Sequence, residues 1–324
     1  MPFDFDAAVG APFRMQPGLR RLGAGTPQLT PLRPGTQSAR EKLAVLSQCP
    51  GEALLVQPDF DAAPALAALC AQAACEWPDA FAWDGATAHA PQIGWSVGED
   101  RPCALRCDAD PAIGACLEAL PAHWRLAGLL ALSFAEDLAI IDAKRGTIAW
   151  MAVCLPSHWS PREKIGRNFA EVHAPVADNA LLLKAADHLV QLVSRRERWE
   201  RFVWNVSPHA HLNAHLNAHL HAGLHAGPLG PAARRWPLAC TTEALAALAH
   251  WRTEHQTFIP LAALGQAIFT IHVALEPLAL AICTRERAAL LHAAVASMSD
   301  AVLAYRDLAA VRQPLLDWLA ARAA

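Results

Sequence analysis

The residues with chemical potential gather in a few places, and the densest is "CLPSHWSPREKIGRNFAEVHAPV", residues 154–176. It sets an isolated histidine, His173, a few residues after two cations, Lys164 and Arg167. A neutral imidazole can ligate a metal or shuttle a proton, and neighbouring cations would suit a ligand that carries carboxylates, such as haem with its propionates. The bland alternative is a structurally satisfied histidine beside ordinary exposed helix charges. A second cluster, "HWRTEHQTF", offers Arg252, Glu254, His255, Gln256 and Thr257 just before a β-prone run. Facing inward, Arg252 and Gln256 would give donors for an anionic group. Facing outward, they are a polar connection, which is the reading the residues alone favour.

A third cluster is the run His209, His211, His215, His219, His221 and His225. If helical, it would align His211, His215 and His219 on one face, where three imidazoles could hold zinc, copper or nickel. The near-verbatim repeat is equally what slippage in a surface loop produces. Glu136 and Asp137, side by side before "LAIID", suit acid–base work or a solvated strand start. There is no GxxxxGK[ST], no GxGxxG after a strand, no GxSxG and no HExxH, which weighs against a nucleotide enzyme, a serine hydrolase and a zinc protease.

Elements must hold these groups in place. Residues 1–50 are rich in proline and glycine and read as an arm wrapping the body. A core follows over 51–283, with a histidine-rich loop at about 207–230, and helices over 284–324 pack on it. Short helices are expected at 62–75 and 110–120. "LAIIDAKRGTIAWMAVCLP" reads as a hairpin turning at "AKRG". Ser160, Pro161 and Glu163 form a capping-box pattern that predicts a helix from about Pro161 to Ala170, with His173 just beyond its end. An amphipathic helix follows from residue 180, then a strand over "QAIFTIHVALEPL", a long helix capped by Thr284, and a last helix at "QPLLDWLAAR". Hairpins flanked by helices without βαβ alternation give an α+β class with a mostly antiparallel sheet.

Bulk properties narrow the partners. A chain of 324 residues with net charge −3 has no overall attraction for nucleic acid or anionic lipid. "LAGLLALSFA" is too short to span a bilayer, and the start lacks a signal-peptide pattern, so a cytoplasmic protein is expected. Nine scattered cysteines without zinc spacing read as reduced, mostly buried thiols.

The motifs "PFRMQPGL", "EDLAIID", "CLPSHWSPREKIGRNFAEVHAPV", "RTEHQTF", "GQAIFTI" and "EPL" together resemble the haem-dependent oxidative N-demethylase family, over most of the chain. The resemblance implies a PAS-like fold binding b-type haem, with His173 as the axial iron ligand. It implies Arg252, Gln256 and Thr257 at the haem pocket, with Lys164 and Arg167 as propionate partners or helix-orienting charges. The implied activity is oxygen-dependent demethylation of a small secondary amine, like dimethylamine, to primary amine and formaldehyde, with electrons from a separate reductase. Rival readings are a non-catalytic haem or gas sensor and a histidine-rich metal-binding protein. "FIPL" after the late motif and "HVA" from His272 depart from the family pattern, on residues that could line the substrate side.

Overall fold

The computed structural model describes residues 3–215, 235–237 and 239–324. The class is α+β, built on a seven-stranded sheet in which every strand pair is antiparallel. Its strands are β1 (Arg20–Arg21), β2 (Leu54–Val56), β7 (Asp137–Asp142), β8 (Thr147–Ala152), β9 (Trp199–Ser207), β10 (His250–Leu261) and β11 (Gln266–Pro277). Their order is β1-β9-β10-β11-β7-β8-β2. A small four-stranded sheet joins β3 (Ala82–Trp83), β4 (Ala88–Ala90), β5 (Trp95–Val97) and β6 (Cys103–Ala104).

The β7–β8 hairpin forms as its sequence suggests. Asp142 accepts the amides of Lys144 and Arg145 at 2.9 and 3.3 Å, and Gly146 takes the φ of +70° that closes the turn. Along β7, Leu138 and Ile140 turn to one face and Ala139 and Ile141 to the other, the period of two that a strand imposes. Leu138 and Ile140 pack with Leu129, Leu130 and Phe134 of the helix Arg125–Ser133 and its end. A separate core buries Trp204, Trp251, Leu291, Leu315 and Leu319 between the sheet and the C-terminal helices.

Several elements differ from the sequence reading. "HWRTEHQTF" is not a connection but the first part of β10, paired along its length with β11 and over nine residues with β9. Residues 199–207, where no strand was expected, form β9; the amphipathic helix before them stops at Val193. Residues 37–48 in the arm form a helix capped by Thr36, and its Lys42 is fully buried. The long helix after Thr284 breaks into Arg285–Ala296 and Asp300–Tyr305, the second started afresh by a Ser299 cap. Of nine unpaired cysteines only Cys70, Cys116 and Cys154 are buried, fewer than expected. Among the described residues no helix is long and apolar enough to cross a membrane.

Candidate functional site

A cavity of about 360 Å³ lies between one face of the large sheet and the chain from Ser157 to Val193. That volume falls in the range of small-molecule and cofactor pockets. Its floor is set by strand parity: Arg201, Val203 and Asn205 from β9, then Arg252, Glu254, Gln256 and Phe258 from β10. β11 contributes Phe269 and Ile271, and β7 contributes Ala139 and Ile141. Leu182, Leu189, Val190 and Val193 of the helix Ala180–Val193 make an apolar roof.

His173 reaches this cavity by a route other than the one expected. The helix starting at Pro161 lasts one turn, Pro161–Lys164, and Ser160 makes no side-chain cap. Gly166, at φ +78°, then returns the chain to β8, where its amide donates to the Ile148 carbonyl at 2.8 Å. A second helix, Phe169–His173, starts from a different capping box, with Glu171 N donating to Asn168 and Asn168 N donating to Glu171. His173 is its last residue rather than lying past its end.

The imidazole is held in one chemical form. Nδ1 lies 2.8 Å from the Phe169 carbonyl, which can only accept, so Nδ1 carries the proton and the lone pair sits on Nε2. The ring stacks on Phe169 at 3.9 Å between centroids. Burial pushes the His173 pKa down to about 4; the Phe169 bond opposes this, and the charges of Arg201 and Lys164 add to it. At neutral pH His173 is an uncharged base lining the cavity. Glu171, three residues after the Asn168 cap, accepts the Asn168 amide, so the acceptor that orients the imidazole is the Phe169 carbonyl.

The other sequence candidates divide. Lys164 lines the cavity and donates from Nζ to the Val172 carbonyl at 2.7 Å, fastening the His173 helix; burial lowers its pKa. Arg167 lines the cavity rim, is exposed, and donates to the Glu163 carbonyl. Arg252 is 2% exposed and spends its guanidinium on protein acceptors: Ser157 Oγ at 2.7 Å and the carbonyls of His211, Leu155 and Leu212. Gln256 faces the cavity and donates to Glu254 at 2.6 Å. Thr257 points to the opposite face, where its hydroxyl lies 2.7 Å from Thr270 and accepts from Gln28 at 2.9 Å. Strand alternation thus separates Thr257 from the cavity that Arg252 and Gln256 line.

Residues not singled out in the sequence complete the floor. Arg201 lines the cavity, and its buried Nε has no hydrogen-bond partner among the described residues. Burial lowers its pKa, with Glu254 opposing. Arg306 Nε is likewise unpartnered, and its guanidinium lies 4.3 Å over the Trp204 ring; burial takes its pKa down to about 10. Glu254, 8% exposed, receives the Ser157 hydroxyl as well as Gln256. Arg306 still donates from its guanidinium to the Trp204 carbonyl and Glu254 acts on Arg201, so what the floor leaves open is two buried Nε–H donors, which an anionic group could meet.

Glu136 and Asp137 are buried, not solvated. Glu136 accepts the Thr30 amide and sits 3.3 Å from His272; Asp137 sits 3.3 Å from Lys42. Neither lines the cavity. Of the histidine run, residues 209–215 form irregular chain, while His219, His221 and His225 lie outside the described residues. Among the described residues no three His, Cys, Asp or Glu side chains are grouped to hold a metal.

The model of one protein family, haem-dependent oxidative N-demethylase, alpha subunit-like, matches residues 37–316. No curated protein matches the chain.

Proposed function

Because the chain belongs to the haem-dependent oxidative N-demethylase alpha-subunit-like family, we propose that it binds b-type haem through His173 and acts as the oxygenase component that demethylates a small secondary amine. The observation that carries this is the state of His173: neutral, oriented by the Phe169 carbonyl, with its Nε2 lone pair beside a cavity whose floor holds Arg201, its Nε without a partner among the described residues. The donor set fits haem. An apolar roof suits a porphyrin face, and Lys164, Arg167 and Arg201 are cations for its two propionates. Bound haem would supply oxygen activation and accept electrons one at a time from a separate reductase.

The protein's own part is positioning. The Phe169 bond keeps His173 in the tautomer that ligates through Nε2 and raises its donor strength, the role outer partners play at metal sites. The aliphatic roof keeps bulk water away from the reacting amine. Glu254, the sole carboxylate lining the cavity among the described residues, offers a protonated dimethylamine-like substrate a charge partner. A PAS-like assignment of the fold belongs to the same proposal; what supports it is an antiparallel sheet with its cavity on one face beneath short helices.

The test is an absorption spectrum of the chain produced with haem precursor, oxidised and reduced, beside His173→Ala. A Soret band that is lost or shifted in the variant supports ligation by His173. Formaldehyde release from dimethylamine with a surrogate reductase then separates an oxygenase from a haem sensor, which would bind haem and consume no electrons on adding amine. A wild-type chain that takes up no haem ends the proposal.

A further inference from the structure

Residues 14–19 cover one side of the cavity, and they make no hydrogen bond among the described residues. Their side chains alternate: Phe13, Met15, Pro17 and Leu19 are half-buried, while Arg14, Gln16 and Gly18 are exposed. Met15, Pro17 and Leu19 line the cavity, and Leu19 packs with Val193 of the roof and Phe258 of the floor, bridging the two. The period is that of a strand, yet the segment is not one. The β1 pairing ends at Arg20, opposite Glu200. Before it, Gly18 takes a φ of +60° and Pro17 has no amide hydrogen to give, and the Trp204 carbonyl farther along β9 accepts from the Arg306 guanidinium instead.

Both ends of the segment are fastened. At one end the Phe13 amide donates to Ser297 Oγ at 2.8 Å, and the Phe13 ring meets Trp204 edge-on at 5.9 Å with the Arg306 guanidinium 5.0 Å over it. At the other, Arg20 bridges Asp4 and Glu200 at 2.7 and 2.8 Å and lies 4.7 Å over the Phe202 ring. Glu200 also accepts from His255 at 2.7 Å, so its carboxylate is a fixed post on the face of the sheet away from the cavity. Chain without backbone hydrogen bonds is the first part of a fold to open, and anchors at both ends confine that opening to residues 14–19.

We propose that residues 14–19 are a hinged strap that opens to admit ligand to the cavity, and that Arg20 and Ser297 are the positioning residues that hold it shut. Opening exchanges the apolar contacts of Met15, Pro17 and Leu19 for water and breaks no backbone hydrogen bond, while the sheet, the roof and the His173 helix keep their places. The proposal rests on the haem-and-amine reading only for the identity of what passes the strap.

Two measurements test it. In the full chain without ligand, trypsin must draw several residues around the Arg14–Met15 bond into its cleft, so cutting there under native conditions counts open molecules. Arg20→Met should raise that rate about fivefold and Ser297→Ala about threefold. Arg21→Ala, which removes an exposed pair with Glu197 outside the strap, should leave it unchanged. Anchor variants that cut like the wild type, or a rise shared by every cut site, overturn the strap. In the haem-loaded protein, Arg20→Met and Ser297→Ala should keep the wild-type spectrum and speed haem uptake and haem loss to a scavenging globin by the same factor, so that affinity is unchanged. Faster loss with unchanged uptake marks the segment as ordinary wall and overturns the gate. A wild-type chain without haem would defeat the functional reading, while cutting at Arg14 still decides the strap.

Discussion

Replacing Lys42 by Met tests whether buried charges that do not line the cavity hold its walls. Lys42 and Asp137 are 0% and 1% exposed and 3.3 Å apart, and Nζ also donates to the carbonyls of Phe134 and Glu136 at 3.0 and 2.7 Å. Removing one partner of such a pair leaves an uncompensated charge and costs about 3–5 kcal/mol. The loss should appear in urea unfolding as a lower free energy at unchanged slope. Adding Asp137→Asn removes the stranded charge while its amide oxygen still accepts the Leu155 amide, now 2.6 Å from Asp137, so about half the loss or more should return. The pH dependence has a definite sign. Burial already raises the Asp137 pKa, and Lys42 is the largest influence opposing it. With Lys42 gone, the folded carboxyl holds its proton at pH values where the unfolded one, at about 3.9, has released it. The penalty is therefore present above the folded pKa and shrinks as pH falls through it. Because Leu155 begins the loop that carries His158 and His173, haem affinity should fall and recover in parallel. A cost below about 1 kcal/mol, a penalty indifferent to pH, or a double variant as weak as the single would refute the reasoning.

Arg252→Lys keeps the charge but loses the fork that grips Ser157, His211, Leu155 and Leu212; we expect about 2–3 kcal/mol of destabilisation and faster amide exchange at Leu212 and Asn213. Asn168→Ala removes the cap of the Phe169–His173 helix, costing about 1 kcal/mol and weakening haem binding about fivefold in a spectral titration, whereas Asn168→Asp should retain most of both. Burial lowers the His255 pKa against the opposing Glu200 contact at 2.7 Å. The unfolded chain therefore takes up that proton first as pH falls below about 6.5, and stability declines until the folded pKa is reached. Urea unfolding across that window should show a shallower decline for His255→Gln.

The β7–β8 hairpin was legible because apolar residues alternate on either side of a glycine turn that has one conformation to adopt. β10 was not. Arg252, Glu254 and Gln256 face a cavity while Thr253 is buried and His255 and Thr257 meet buried polar partners, so the strand is enclosed on both sides without the apolar alternation that marks burial. The capping box at Ser160 misled because Gly166 leaves the helix to pair with β8, a tertiary contact that local pattern does not contain. Short strands of two or three residues over 82–104 carry no period long enough to detect. His173 drew attention through rare neighbours and through family resemblance. Its neutrality came from burial and its tautomer from a carbonyl four residues earlier, and Arg201 sat unnoticed in a strand the sequence reading did not expect.

The parity of β10 bears on which changes the gene can tolerate. An insertion or deletion of one residue inside His250–Leu261 would exchange the two sides of the strand beyond it. Thr253, His255 and Thr257 would then occupy the cavity floor, and Arg252, Glu254 and Gln256 would be driven among Gln28, Glu200 and Thr270. One shift would thereby destroy the ligand-facing chemistry and the packing behind it together, with no intermediate sequence that spares either. Length variation should instead collect at the turn between Leu261 and Gln266, where added residues leave the pairing from His250↔Pro277 to Leu261↔Gln266 in register.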